Sequence, residues 1–284
     1  MTWPNVVSVG GILLDRDVLG SFRSVTDLVG WDDAPGVRSG LLSKAQQDGD
    51  WDATGFSDGR VVTITGTVAE ASARDAYTVA QQLAALRPQQ VVEVVVVNAA
   101  IGTLSALARV TVGVKPSWIG TLAFEYTLTV TAPDSLKYGP PTFATATLAT
   151  STPGAGRIWP RAWPTDWGIP AGVTPGAVAV ANAGTAAYWP RLRVDGPSPN
   201  PTVSMVETGA WVRYGGTLLA GQWLDFDMAN RRVLLQGQVS VRQLVSSSGD
   251  WLAVPVGGGS VAWTDDGGDP AAKLSVWGYE GAFS

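Results

Sequence analysis

The side chains able to do chemistry in this chain are its acids and its tryptophans, because histidine and cysteine are both absent from its 284 residues. Without them there is no Ser-His-Asp or Cys-His nucleophile, no Cys/His zinc site, no thiolate-held iron–sulfur cluster and no disulfide. No remaining side chain titrates near neutrality unperturbed, so acid–base work falls to a strongly shifted carboxylate or lysine. A chain without disulfides agrees with a reducing place of synthesis. The acids gather early, as Asp32, Asp33, Asp48, Asp50, Asp52 and Asp58, in a stretch that also holds Trp and Gly. Two of them over a cleft, about 5–10 Å apart, would suit glycoside hydrolysis. The spacing Asp48-x-Asp50-x-Asp52 resembles the start of a calcium loop. Its sixth and twelfth positions are Ala53 and Gly59, where such a loop needs Gly and Glu. Solvated aspartates in turn positions are the expectation, with no catalytic residue, metal site or cofactor.

The tryptophans number 13, more than the 6 tyrosines and 6 phenylalanines together. Trp159, Trp163, Trp167, Trp189 and Trp211 have the flat apolar faces that stack on sugar rings. The same side chains fill sandwich cores and subunit interfaces. Trp159, Trp163, Trp167 and Trp211 are the candidate carbohydrate contacts, with Asp195, Asn200, Glu207 and Arg213 as possible hydrogen-bonding companions. Gly257-Gly258-Gly259 has no lysine and no helix after it, so it reads as a turn, not a phosphate loop.

The elements that must position these residues are mostly strands. Val61–Val68, Ala108–Val114 and Leu122–Val130 are β-branched or alternate cleanly, and the first follows a turn at Ser57-Asp58-Gly59. Ser72 to Leu86 has helical spacing at Ala76, Val79, Ala80, Leu83 and Leu86, with Ser72 as N-cap, Asp75 three residues on, and Arg87-Pro88 as the stop. A Pro/Gly boundary follows at Ala132-Pro133-Asp134 and Tyr138-Gly139-Pro140-Pro141. Next come a Ser/Thr/Ala/Gly stretch and the Trp/Pro segment of residues 159–170. From Ala177 on, short strands alternate with turns, including the hairpin Asp225-Phe226-Asp227, Asn230-Arg231-Arg232. The expected fold is mainly β: a barrel or sheet domain with one helix over residues 1–138, then a β-sandwich over residues 139–284.

Composition narrows the class. An apolar fraction of 45% supports real cores, and a charged fraction of only 15% suits a subunit that buries much of itself against neighbours. A net charge of −5 without a Lys/Arg run argues against nucleic-acid binding. The first ten residues lack the basic and apolar regions of a signal peptide, and no stretch is long enough for a membrane-spanning helix. No membrane partner is expected.

In order, these pieces resemble the distal tail protein family of long-tailed, non-contractile bacteriophages, also called minor tail or siphovirus tail components. Three passages carry the resemblance: Asp48-Gly49-Asp50-Trp51 with Gly59-Arg60 through Gly66-Thr67-Val68 leading into the helix; Leu128 through Ala132-Pro133-Asp134 to Tyr138-Gly139; and Asn182-Ala183-Gly184-Thr185, Trp189-Pro190, Gly196-Pro197, Asn200-Pro201, the Leu224–Asp227 strand and Arg231-Arg232-Val233. Pro255-Val256-Gly257 departs from the family's compact Pro-Gly turn. The resemblance implies a non-enzymatic virion protein of the tail tip or baseplate, assembled in the host bacterial cytoplasm. Its first domain would form a homo-hexameric ring and its second a galectin-like β-sandwich. The implied partners are the tail tube protein, the tape measure protein and the tip or baseplate hub proteins, with DNA only passing through the central channel. Two alternatives use other residues: a module binding host cell-wall glycan through the tryptophans, and a glycosidase using the clustered carboxylates.

Overall fold

The computed structural model describes residues 5–52, 54–147, 176–267, 269 and 271–284. The chain divides into two compact units, Met1–Pro140 with Phe283–Ser284, and Pro141–Ala282. It is mainly β, with one α-helix among the described residues.

In the first unit the principal elements are β1 (Asn5–Val9), β2 (Ser21–Val29), β3 (Arg60–Glu70), α1 (Ala73–Ala84), β4 (Val91–Asn98), β5 (Gly102–Val112), β6 (Ala123–Ala132) and β7 (Lys137–Tyr138). The main sheet runs Ile12–Leu13, β1, β4, β5, β6, β3, β2, Arg16–Val18, every neighbour antiparallel. Its two edge strands are separated in the chain only by Leu14 and Asp15. A link that short reaches at most about 10 Å, so the sheet curls back on itself into a barrel. Arg23 on β2 closes the seam, donating from Nη1 to the Leu13 carbonyl at 3.1 Å.

Alternation explains the strands. On β3, Val62, Ile64 and Val68 are buried while Val61, Thr63, Thr65 and Thr67 face outward; on β6, Phe124, Tyr126, Leu128 and Val130 are the buried set. The valine run of β4 obeys the same period, with Val92, Val94 and Val96 inside and Glu93 outside. The helix packs on this barrel through Ala76, Val79, Ala80 and Leu83, and Leu86 lies against the same core. Its N-terminus is closed by Ser72, whose Oγ accepts from the Asp75 amide at 3.2 Å and donates to Asp75 Oδ2 at 2.6 Å.

Gly66 lies directly across from Tyr126, and a Cβ there would collide with the Tyr126 hydroxyl and the Ser24 carbonyl. The glycine therefore makes room for a large ring inside the barrel. The Tyr126 hydroxyl is buried without a hydrogen-bond partner. Burial, and secondarily the nearby Asp15 carboxylate, push its ionisation above the ordinary tyrosine value. Tyr126→Phe removes an unsatisfied polar atom, so it is expected to stabilise the unit by about 1 kcal/mol. The sign of the pH effect follows from the raised pKa. The wild-type advantage of holding the proton is complete below the unfolded tyrosine value of about 10 and is lost as pH rises beyond it. Alkaline urea titrations should thus show a steeper loss of stability in the wild type than in the phenylalanine variant.

The second unit contains β8 (Pro141–Thr147), β9 (Gly176–Val180), β10 (Arg191–Asp195), β11 (Thr202–Met205), β12 (Trp211–Tyr214), β13 (Trp223–Asp227), β14 (Arg232–Leu235), β15 (Val245–Ser247), β16 (Gly259–Thr264) and β17 (Lys273–Tyr279). A six-stranded antiparallel sheet runs β8, β17, β10, β13, β14, Val239–Ser240, and a five-stranded one runs β9, β16, β11, β12, β15. Each has one buried apolar face. Leu192, Val194, Leu224, Phe226, Leu274 and Val276 belong to the larger sheet; Val178, Val203, Val212, Val261 and Trp263 belong to the smaller. Together they form a β-sandwich. The Thr/Ala segment after Pro141 is a strand, β8, because it pairs in register along all of β17. The hairpin from β13 to β14 turns through Arg231 at φ 52°, with Asp227 accepting from the Asn230 amide at 3.0 Å.

Asn182 ties this unit to the end of the chain. Its side-chain amide donates to the Ala186, Val254 and Pro255 carbonyls, and its Oδ1 accepts from the Gly184 and Ala282 amides. The side chain is 2% exposed, so water cannot replace these partners. Asn182→Ala is expected to cost about 3 kcal/mol in urea denaturation. The terminal strand β18 (Ala282–Phe283) pairs with β7, and Phe283 lies against the first unit's core.

Candidate functional site

Where β3 begins, two buried cations gather the loop after β2 and the segment after β6. Arg60 is 1% exposed. Its Nη1 donates to the carbonyls of Gly30 at 3.0 Å, Trp31 at 2.9 Å and Asp33 at 2.6 Å, while Nε and Nη2 both donate to Ser135. Lys137 donates to the Trp31 carbonyl at 2.8 Å, sits 5.7 Å from that tryptophan's ring centroid, and pairs with Asp32 at 3.8 Å. Burial pushes the Lys137 pKa down and Arg60 adds to the shift, against the opposing pull of Asp32 and Asp33. Burial likewise lowers the Arg60 pKa. Asp134 organises the segment after β6, accepting from the Leu136 amide and the Tyr138 hydroxyl. A Cβ on Gly59 would press on the Ala132 carbonyl, so the two passages approach as closely as backbone allows. These bonds hold the loop after β2 and the segment after β6 against the start of β3.

The Asp-rich stretch is not an acidic cleft. It is a two-stranded ribbon in which Val37–Arg38 pairs with Phe56–Ser57 and Leu42–Ser43 with Asp50–Trp51, tied at its ends by Asp58 to Gly36 and Lys44 to Gly49 backbone bonds. Asp48, Asp50, Asp52 and Asp58 are exposed, and among the described residues no three acidic side chains could hold a metal ion. What the ribbon displays is apolar: Val37 is 74% exposed, Leu42 70%, Trp51 65% and Phe56 59%. The aspartates stood out by type. The exposed large apolar residues of the same stretch, Val37, Leu42, Trp51 and Phe56, do not stand out in that way.

Trp159, Trp163 and Trp167 lie outside the described residues. Trp211 is 36% exposed on β12. Two residues along that strand, Arg213 donates to Asp266 at 2.8 Å, and Asn200 donates to the same carboxylate at 2.9 Å. Trp211, Arg213 and Asn200 are thus brought together with Asp266, which sequence reasoning passed over. Asp195 is elsewhere, on the larger sheet, paired with Arg193 at 2.8 Å. Glu207 is occupied in accepting from the Ser260 amide at 2.8 Å. Trp189 is 47% exposed.

No family model matches the chain, and no curated protein matches it in sequence. Solved structures do match. The Dit (gp 19.1) protein of phage SPP1, a hub adsorption apparatus of Gram-positive-infecting phages, is similar over 99% of both chains at 15% identity, with a TM-score of 0.60. A chain of the phage P2 baseplate in its activated conformation with calcium is similar over 98% of this chain and 99% of its own, at 8% identity and a TM-score of 0.50. Barrel with helix, then sandwich, the chain has the fold of the SPP1 Dit protein along its whole length.

Proposed function

We propose that this protein is a structural component of a phage tail, the hub that joins the tail tube to the tip or baseplate of a long non-contractile tail. The observation that carries the reading is a fold shared with a phage hub protein end to end, barrel and sandwich in the same order. In this reading the first unit closes into a homo-hexameric ring with a central DNA channel, and tail tube, tape measure and hub proteins stack on it. The protein acts through geometry, not catalysis, within the virion tail, after assembly in the host cytoplasm. The exposed ribbon of residues 36–58 supports a self-associating ring. A two-stranded ribbon is marginal alone, and its large apolar side chains reach solvent unless a neighbouring copy covers them. Native mass spectrometry and electron microscopy of the full chain test this. A six-subunit ring is expected, and a strict monomer at high concentration and physiological salt overturns it.

A further inference from the structure

The barrel of the first unit has one outer face built almost wholly of hydroxyls. Of the ten outward positions on β3 and β6, six are threonine, namely Thr63, Thr65, Thr67, Thr127, Thr129 and Thr131, and only Glu125 is charged. Register puts Thr65 beside Thr127 and Thr63 beside Thr129, so the hydroxyls stand in rows. Thr63 and Thr129 share a hydrogen bond of 3.2 Å, and Thr131 donates to Thr111 on β5 at 3.3 Å. Across β3, Ser24 and Asp27 of β2 continue the polar surface as neighbours of Thr67 and Thr65. Toward the ribbon the rows end in exposed Val29, Val61 and Val112, so the hydroxyl face stops where the ribbon begins.

The arginines of these strands are committed elsewhere. Arg60 is buried in the cluster around Trp31. Arg23 pairs with Glu70 at 2.8 Å and donates to the Leu13 carbonyl. Arg109, the cross-strand neighbour of Thr131, donates to the Gln89 carbonyl at 2.8 Å. Apart from that tied guanidinium, the exposed charges on β2, β3, β5 and β6 are the acids Asp27 and Glu125.

We propose that this hydroxyl face is the wall of the central channel, turned to the ring axis and passed by double-stranded DNA. The proposal rests on the hub reading and adds to it the face that meets the nucleic acid. Composition selects that place. The open surface of a soluble domain is roughly 25–35% charged, and the core of a subunit contact is built on aromatic and other large side chains. This face is neither. The large apolar groups of the first unit are exposed elsewhere, on the ribbon, at Leu19 and at Tyr77. DNA adheres wherever lysines and arginines displace its counterions. A wall past which it slides must therefore offer no free cation, and two acids in each subunit repel the phosphates. Threonine suits the surface between them. Its hydroxyl keeps a water layer, and its β-branched side chain is short and stiff, so nothing reaches out to hold the duplex.

The test uses the full chain in its assembled form. The protein has no cysteine, so Thr127→Cys supplies a single thiol per subunit. Rings labelled with maleimide-linked nanogold and viewed end-on by electron microscopy should carry gold in the central hole. Asp48→Cys on the ribbon should place it away from the axis. Thr131→Cys marks the same face if Thr127→Cys does not assemble. An assembled ring whose Thr127 or Thr131 gold lies at the outer rim or in the seams between subunits overturns this proposal alone. So does assembly that shields both thiols from a small maleimide able to label the unfolded chain, or failure of both variants to assemble where the wild type does, because either result puts the face in a subunit contact. A wild-type chain that forms no ring overturns the hub reading, and the channel wall with it.

Discussion

Arg60→Met is expected to cost the first unit about 3–5 kcal/mol, a large share of the ~5–15 kcal/mol that holds an ordinary domain folded. The arginine makes five hydrogen bonds to four carbonyls, those of Gly30, Trp31, Asp33 and Ser135. Methionine matches the length and the packing but donates nothing, so those carbonyls lose their partner in a place that admits almost no water. Lysine is a partial substitute at best, since one ammonium cannot span the Gly30–Asp33 loop and Ser135 together, and Arg60→Lys should fall between the two. A second readout is electrostatic. Arg60 is one of the causes that depress the Lys137 pKa, so removing its charge should move Lys137 back toward the ordinary lysine value. A lysine with a depressed folded pKa destabilises the fold at low pH, and that penalty is relieved as pH rises through the depressed value. This rise of stability with alkaline pH should be shallower in Arg60→Met than in wild type. Urea denaturation followed by tryptophan fluorescence, repeated across the alkaline range, measures both effects.

The parts of this fold that sequence reveals are those with local periods. The alternation of Val62, Ile64 and Val68, the spacing of Ala76, Val79, Ala80 and Leu83, and the Asp227–Asn230 turn each depend on residues a few positions apart. The cluster around Trp31 depends on residues far apart. Arg60 reaches Ser135 across 75 positions, and Lys137 reaches Trp31 across 106. Nothing local in Gly59-Arg60 or Leu136-Lys137 requires burial; only resemblance to a family pattern picked those passages out. β8 was hidden for a different reason. Ala offsets the strand preference that Thr supplies, and the segment becomes a strand because β17 offers it a matching edge. For the candidate ligand residues, Asn200 and Arg213 converge on Asp266, while Asp195 and Glu207 are committed elsewhere. Residue type alone could not separate the two pairs, because strand register decides which face each one shares.

The double substitution Leu42→Asp with Trp51→Asp is expected to abolish the proposed ring while leaving the subunit folded. The two residues are cross-strand partners on the ribbon and are 70% and 65% exposed, so neither supports its own chain's core. Exposed substitutions of this kind cost a subunit about 0.5 kcal/mol or less. In an interface the same change is severe, because each contact must bury two carboxylates in place of a leucine and an indole, at several kcal/mol per ion. A closed ring repeats that penalty at every contact, so assembly falls much further than any single contact would suggest. Native mass spectrometry should show monomer for the variant under conditions where the wild type is a ring, with unchanged far-ultraviolet circular dichroism. Apolar contacts are little screened by salt, so a ring held by this ribbon should persist at high ionic strength. A wild-type ring that dissolves in salt would place its main contacts on charged surfaces elsewhere. A double variant that still closes would show that the ribbon does not make the ring contact.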